Sequence, residues 1–176
     1  MADVKGCLHI YCGDGKGKTT AAVGLAVRAA GSGMKVLFGQ CMKDGSSGEV
    51  EMLKKLGVTY SCCRERFGFF WNMTDEQKEK AAAAYTALFE DICRRAEEED
   101  YDLLIIDEFM SAYNHGLIDQ KKALEYLLHR PERLEVVLTG REPGEEILRI
   151  ADYVTEMRKV KHPFDQGIPA RKGIEM

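Results

Sequence analysis

The chain has 176 residues, enough for one domain with a full core, and its 45% hydrophobic and 31% charged residues are the balance of a globular protein. Lys and Arg number 25 against 29 Asp and Glu, and the net charge of −4 argues against non-specific nucleic-acid binding. No apolar run reaches membrane-spanning length and the opening "MADVKGCLHIYC" lacks a signal-peptide core, so a cytoplasmic protein with no membrane or nucleic-acid partner is expected.

Apolar, β-branched runs alternate with helical patterns along the chain. "CLHIYC" (7–12) reads as a strand, and "TTAAVGLAVRAAGSG" (19–33) as a helix ending near Gly31 or Gly33. "KVLFGQC" (35–41) is a second strand, "GEVEMLKKLG" (48–57) a short helix and "VTYSCC" (58–63) a third strand. After the loop "RERFGFFWNM", Thr74 opens a long helix, with Gln77 at capping-box spacing. Ala81, Tyr85, Leu88, Phe89, Ile92 and Ala96 fall on one face of it. "YDLLIID" (101–107) hardly alternates, as in a strand buried on both faces. A helix near 119–129 stops before Pro131, "LEVVLTG" (134–140) is another buried strand, and Pro143 starts the short helix "PGEEILRIA". "DYVTEM" (152–157) is the last predicted strand, before a polar tail. Such alternation predicts an α/β fold, a mostly parallel sheet flanked by helices. No repeat or linker divides residues 1–176, so one domain is expected.

None of the six cysteines (Cys7, Cys12, Cys41, Cys62, Cys63 and Cys93) forms a CxxC pair, and the four histidines are scattered. Buried free thiols are expected rather than a zinc site.

The stretch "CGDGKGKTTAA" carries the first chemical signal. It follows a strand and opens a helix, the context of a phosphate-binding loop. Its glycines allow a nest of inward N–H groups, and the helix N-terminus adds positive charge. Lys18 can reach phosphates, Lys16 adds a cation, and Thr19 can bind a bridging Mg2+. The usual pattern GxxxxGK(S/T) would place its first glycine at 12, where Cys12 stands.

"LLIIDE" ends in Asp107 and Glu108, at the carboxyl end of a buried strand expected beside the first one. Paired with the loop it is a Walker B candidate, either holding metal or, for Glu108, activating water. "FGFFW" sets Phe67, Phe69, Phe70 and Trp71 beside Arg64 and Arg66. On residue types alone it is equally a flat-ligand surface or lid, or a plug under the long helix. The tail holds Arg158, Lys159, Lys161, His162, Arg171 and Lys172, which face either a triphosphate or solvent. "TGRE" ends a strand and puts Arg141 at the ligand edge of such a sheet, to contact phosphate or pair with an acid.

These pieces in order resemble the P-loop type of ATP:corrinoid adenosyltransferase, nearly end to end from residue 7 to 176. "GDGKGKTTAA" is similar to the family's GNGKGKTTAA, "QCMKDGSSGE" to its strand-end segment, and "GFFW" to its aromatic loop. "IIDE", "LTGRE" and "VTEMRKVKHPFDQGIPARKGIE" resemble its acidic strand end, its next strand end and its closing segment. The resemblance implies a RecA-like P-loop NTPase fold and a homodimer. It implies transfer of the 5′-adenosyl group of ATP to the cobalt of a reduced corrinoid, with intact triphosphate leaving. Mg2+ (or Mn2+) accompanies ATP, and a flavoprotein reductase is an implied partner. Carried over by position, Gly13, Asp14, Gly15, Lys16, Gly17, Lys18, Thr19 and Thr20 cradle the triphosphate, with Arg141 nearby. Thr19 and Glu108 hold the metal with Asp107 in support. Phe69 and Trp71 help remove the corrinoid's lower axial ligand, and the tail from about 158 to 176 contributes to the site. The cobalt is itself the nucleophile, so no Ser, Cys or Lys nucleophile is needed; the protein positions, neutralises the leaving group and tunes the corrinoid.

Two features depart from the family. Asp14 stands where Asn is frequent, and its carboxylate is expected to point out of the anion nest or to a hydrogen-bond donor. Some members carry an N-terminal extension that helps cover the site, whereas this chain starts almost at its first strand, which predicts a less covered site. A P-loop kinase or ATPase, and a non-catalytic nucleotide switch or corrinoid carrier, are the competing readings. The aromatic loop and the tail favour the transferase, while Asp14 and the short N-terminus favour the switch.

Overall fold

A computed structural model of the chain describes residues 5–68 and 70–175. Among the described residues six strands form one sheet: β1 (Leu8–Cys12), β2 (Val36–Gln40), β3 (Thr59–Cys62), β4 (Leu103–Asp107), β5 (Glu135–Thr139) and β6 (Tyr153–Glu156). The helices are α1 (Lys18–Gly31), α2 (Val50–Lys55), α3 (Asp75–Glu98), α4 (Phe109–Asn114), α5 (Gln120–His129) and α6 (Glu145–Ile150). The strand order is β3-β2-β4-β5-β1-β6, with parallel pairing throughout.

The order corrects one expectation. β4 does not lie beside β1; β5 pairs with both and separates them. All three strands are apolar runs buried on both faces, so their composition does not encode which neighbours which.

Alternation along β4 feeds two cores. Leu103 and Ile105 join Val36, Phe38 and Val137 under α1 and α2, where Ala22, Ala26 and Ala29 let α1 lie close to the sheet. Leu104 and Ile106 join Leu8, Ile10, Val136 and Leu138 on the other face, against Phe89 and Ile92 of α3, Phe109 of α4, Leu127 of α5 and Ile147 of α6. Fully burying each such side chain stabilises the fold by about 1.5–3 kcal/mol.

The helix boundaries follow local chemistry. Thr74 caps α3 as expected: its hydroxyl accepts from Gln77 N at 3.2 Å, and the Gln77 side chain accepts from Thr74 N at 2.9 Å. Asp119 caps α5 by accepting from Lys121 N and Lys122 N. α4 is an element that the sequence pattern did not reveal. Its six residues FMSAYN carry no polar face to set a period, because Phe109, Met110, Ala112 and Tyr113 are all buried.

All six cysteines are free; Cys12, Cys41, Cys63 and Cys93 are buried, as expected, while Cys7 and Cys62 are half-buried. Burial pushes the thiol of Cys41 far up from its ordinary value. No helix among the described residues is long and apolar enough to cross a membrane.

Candidate functional site

Parallel strands all deliver their carboxyl ends to one edge of the sheet, where ligands of such folds bind. β1 delivers the glycine loop, β2 Gln40, β4 Asp107 and Glu108, β5 Thr139 and Arg141, and β6 Met157.

Cys12, standing where a glycine was sought, is the last residue of β1. It is buried, and its register partner is Glu156 of β6. The loop therefore turns at Gly13, whose φ of 98° suits glycine. Met157 clamps the loop from the side: its N–H donates to Cys12 O at 2.8 Å and its carbonyl accepts from Gly15 N at 2.6 Å. A Cβ at Gly15 would lie 2.5 Å from that carbonyl oxygen, so the approach requires glycine there.

Lys18 opens α1 and turns back over the loop, donating to Gly13 O at 2.7 Å and Gly15 O at 2.8 Å. Burial, then the nearby Arg141, pulls its pKa below the ordinary lysine value. An anion in the loop opposes both effects, so the ammonium is held in a place that favours phosphate.

Asp107 is fully buried behind the loop. Its Oδ1 accepts from the Thr19 hydroxyl at 2.9 Å and from the Thr139 hydroxyl at 2.7 Å. Its Oδ2 accepts from Gln40 Nε2 at 3.0 Å and lies 3.6 Å from Lys43 Nζ. Glu108 follows with φ 56°, a left-handed turn that swings its carboxylate away from Asp107 and onto the cavity wall. Ser111 steadies that carboxylate at 3.0 Å, and Glu108 N donates to Thr139 Oγ1 at 2.9 Å.

A cavity of about 300 Å3 lies above the loop. Asp14, Gly15, Lys16, Gly17, Lys18, Thr19 and Thr20 line it, together with Glu108 and Arg141. Gly13 and Asp107 lie behind these residues and do not face it. The opposite wall is the tail, including His162, Phe164, Ile168, Ile174 and Glu175.

One open reading resolves here, and one expectation holds. Of the six basic tail residues, only His162 lines the cavity; Lys159 pairs with Asp165 and Arg171 with Glu175. The tail thus faces the loop mainly with apolar side chains. Asp14 is exposed and points to a donor, its Oδ1 accepting from the Lys159 backbone N–H at 2.9 Å. That hydrogen bond holds its carboxyl below the usual carboxylate value.

The aromatic stretch is split in its packing. Phe67 and Phe70 pack on the core beside α3, with Phe67 6.1 Å from the Tyr85 ring. Trp71 is 79% exposed and rests edge-on against His115, 5.0 Å between centroids. It does not line the loop cavity; it sits at the far end of α4 from Glu108. Phe69 lies outside the described residues.

Sequence reasoning gave no role to Gln40, Tyr60, Thr139, Met157 or His115. A signal existed for Gln40, a polar residue directly after the wholly apolar run "VLFG". Met157 acts through its backbone, which no residue type announces.

The donors Thr19, Asp107 and Glu108 are hard oxygens suited to Mg2+. Among the described residues no group of three or more His, Cys, Asp and Glu side chains could hold an ion by itself. That fits Mg2+ bound by one or two protein oxygens and completed by substrate phosphates.

Comparison with known proteins bears on this arrangement. Residues 4–176 match the family described as ATP:corrinoid adenosyltransferase BtuR/CobO/CobP. The corrinoid adenosyltransferase of Pseudomonas aeruginosa is 36% identical over 98% of this chain and 85% of its own length. That of Escherichia coli is 35% identical over 98% of this chain and 87% of its own length. Corrinoid adenosyltransferase CobA of Salmonella typhimurium is 35% identical over 97% of this chain and 86% of its own length. Among solved structures, EssC (ATPases 2 and 3) from Geobacillus thermodenitrificans superposes with a TM-score of 0.53 at 12% identity, covering 99% of this chain. The chain spans 36% of that protein, and the likeness is one of fold, the P-loop ATPase architecture.

Proposed function

The chain belongs to the ATP:corrinoid adenosyltransferase family, and from that premise we propose how its residues divide the work. The enzyme transfers the adenosyl group of ATP to a corrinoid, and its substrates are ATP and the corrinoid. In this reading residues Asp14 to Thr20 cradle the triphosphate, with Gly13 as the turn that starts the loop and Lys18 and Arg141 neutralising the charge. Thr19 and Glu108 hold Mg2+, and Asp107 supports Thr19 from behind. Mg2+ bound there offsets charge on the leaving triphosphate.

The observation that carries this reading is the shared hydrogen of Thr19. Its hydroxyl donates to the buried Asp107 at 2.9 Å, which leaves its oxygen lone pairs for a cation in the cavity that Glu108 also lines. No side chain need attack the substrate, since the reduced cobalt forms the new bond to the 5′ carbon as the carbon–oxygen bond to triphosphate breaks. Positioning of such a pair contributes on the order of 7–11 kcal/mol to catalysis. The tail closes the cavity and belongs to the same single domain of residues 1–176.

Trp71 and Phe69 act on the corrinoid's lower axial ligand. Trp71 is 79% exposed, whereas tryptophan is highly buried on average, and a ring open to a large flat ligand supports that role. The chain works as a homodimer in the cytoplasm and receives Co(II) corrinoid reduced by a flavoprotein. Exposed Tyr153 and Val154 on the edge strand β6 support self-association.

Thr19→Val and Glu108→Gln test the assignment. Each is expected to lower kcat/KM about 10²-fold or more at saturating Mg2+. Wild-type kinetics in both variants would remove these residues from the metal site.

A further inference from the structure

Gln40 ends β2, is fully buried, and has no part in the chemistry described above. Its side chain meets three partners. The Tyr60 hydroxyl donates to Gln40 Oε1 at 2.7 Å. The amide nitrogen donates to Asp107 Oδ2 at 3.0 Å and to Glu49 Oε1 at 3.1 Å. An amide nitrogen has two hydrogens, and two carboxylate oxygens take them. The reverse orientation would set the amide oxygen against both carboxylates, so the partners dictate the orientation.

The chain of bonds continues inward. With Oδ2 held by Gln40, Asp107 keeps Oδ1 toward the Thr19 and Thr139 hydroxyls at 2.9 and 2.7 Å. Without the amide, Oδ2 would retain, among the described residues, only Lys43 at 3.6 Å, and the carboxylate could turn about its own bonds. The Thr19 hydrogen would then lose its fixed acceptor.

The geometry points to Gln40 and Tyr60 as positioning residues for the metal site. Tyr60 sets the Gln40 amide, Gln40 holds Asp107, and Asp107 turns the lone pairs of Thr19 toward the cavity. The inference rests on the reading above that Thr19 and Glu108 hold Mg2+. It extends that site outward to β3, through a partly buried network in which both hydrogens of the amide are used.

The test is calorimetric titration of ATP, with and without Mg2+, into wild type, Gln40→Met and Tyr60→Phe. Met is close to Gln in length but cannot donate. Wild type is expected to bind ATP more tightly with Mg2+. In Gln40→Met that gain falls about tenfold while metal-free affinity stays within about twofold, as expected for a partner one step outside the ligands. Tyr60→Phe moves in the same direction by a smaller factor, and must do so even if Gln40→Met fails to fold. A merely structural role would weaken both affinities together or change only the melting temperature. Full retention of the Mg2+ gain in the variants, or equal loss with and without metal, overturns the inference. Absence of any Mg2+ gain in wild type overturns the metal reading on which it rests.

Discussion

The Asp14 carboxylate accepts a hydrogen bond from the backbone N–H of Lys159 at 2.9 Å, joining residues 145 apart in sequence. A carboxylate in an anion-binding loop is thereby turned away from the nest and used to dock the tail. Met157, two residues before Lys159, clamps the same loop through its backbone. The loop and the tail are therefore built as one unit.

Replacing Asp14 separates its charge from its bond. Asp14→Asn keeps an acceptor for Lys159 N–H and removes a negative charge near the phosphates, so ATP is expected to bind at least as tightly as in wild type. Asp14→Ala loses the acceptor, and ATP affinity should fall by up to about tenfold. Calorimetry distinguishes them; equal behaviour of the two variants would mean that the tail is not docked through Asp14.

Acid is expected to loosen the last turn of the tail late. Hydrogen bonds from Arg171 hold the Glu175 carboxyl down to about 2, against an ordinary value of 4.5. A carboxyl whose pKa is depressed in the folded state contributes fully above the ordinary value and loses its contribution as pH falls toward the folded one. The last turn of the tail, which this pair ties together, should thus hold at pH 5 and loosen between pH 4.5 and about 2. The Glu175 carboxylate resonance checks this by NMR titration; an ordinary midpoint would show the Arg171 pair to be open in solution.

Two glycines should respond with opposite signs. A Cβ at Gly15 meets the Met157 carbonyl oxygen at 2.5 Å, a backbone atom that cannot step aside alone. Gly15→Ala is expected to destabilise by about 1–3 kcal/mol and to abolish tight ATP binding. Gly24, within α1, has nothing within 4 Å of an added Cβ. Gly24→Ala should stabilise by about 0.5–1 kcal/mol, read by denaturant titration.

Trp71→Ala removes an exposed ring and should change stability by less than about 0.5 kcal/mol. Activity with Co(II) corrinoid and a reductase should nevertheless fall far more than with pre-formed Co(I). Equal losses in both assays would remove the axial-ligand role.

Much of the fold and part of the site was legible in the chain. The glycine loop, the acidic strand end and the capping box are local patterns of a few residues, and the structure places them on the expected elements. The β5 insertion between β1 and β4 was not legible, because neighbours in a parallel sheet are chosen by long-range packing among similar apolar strands. The short α4 was hidden by its burial. Asp14 looked anomalous only while its partner, a backbone N–H, had no place in space. Gln40 and Tyr60 lie 20 residues apart and meet only because β2 and β3 pair in register. The aromatic stretch is split by packing: Phe67 and Phe70 sit on the core, and Trp71 is exposed.

The most direct measurement is product analysis after incubating the protein with ATP, Mg2+ and chemically reduced cobalamin. Attack at the 5′ carbon, with the triphosphate cradled as a leaving group, predicts adenosylcobalamin and intact triphosphate in equal amounts. ADP and phosphate formed without regard to the corrinoid would contradict it.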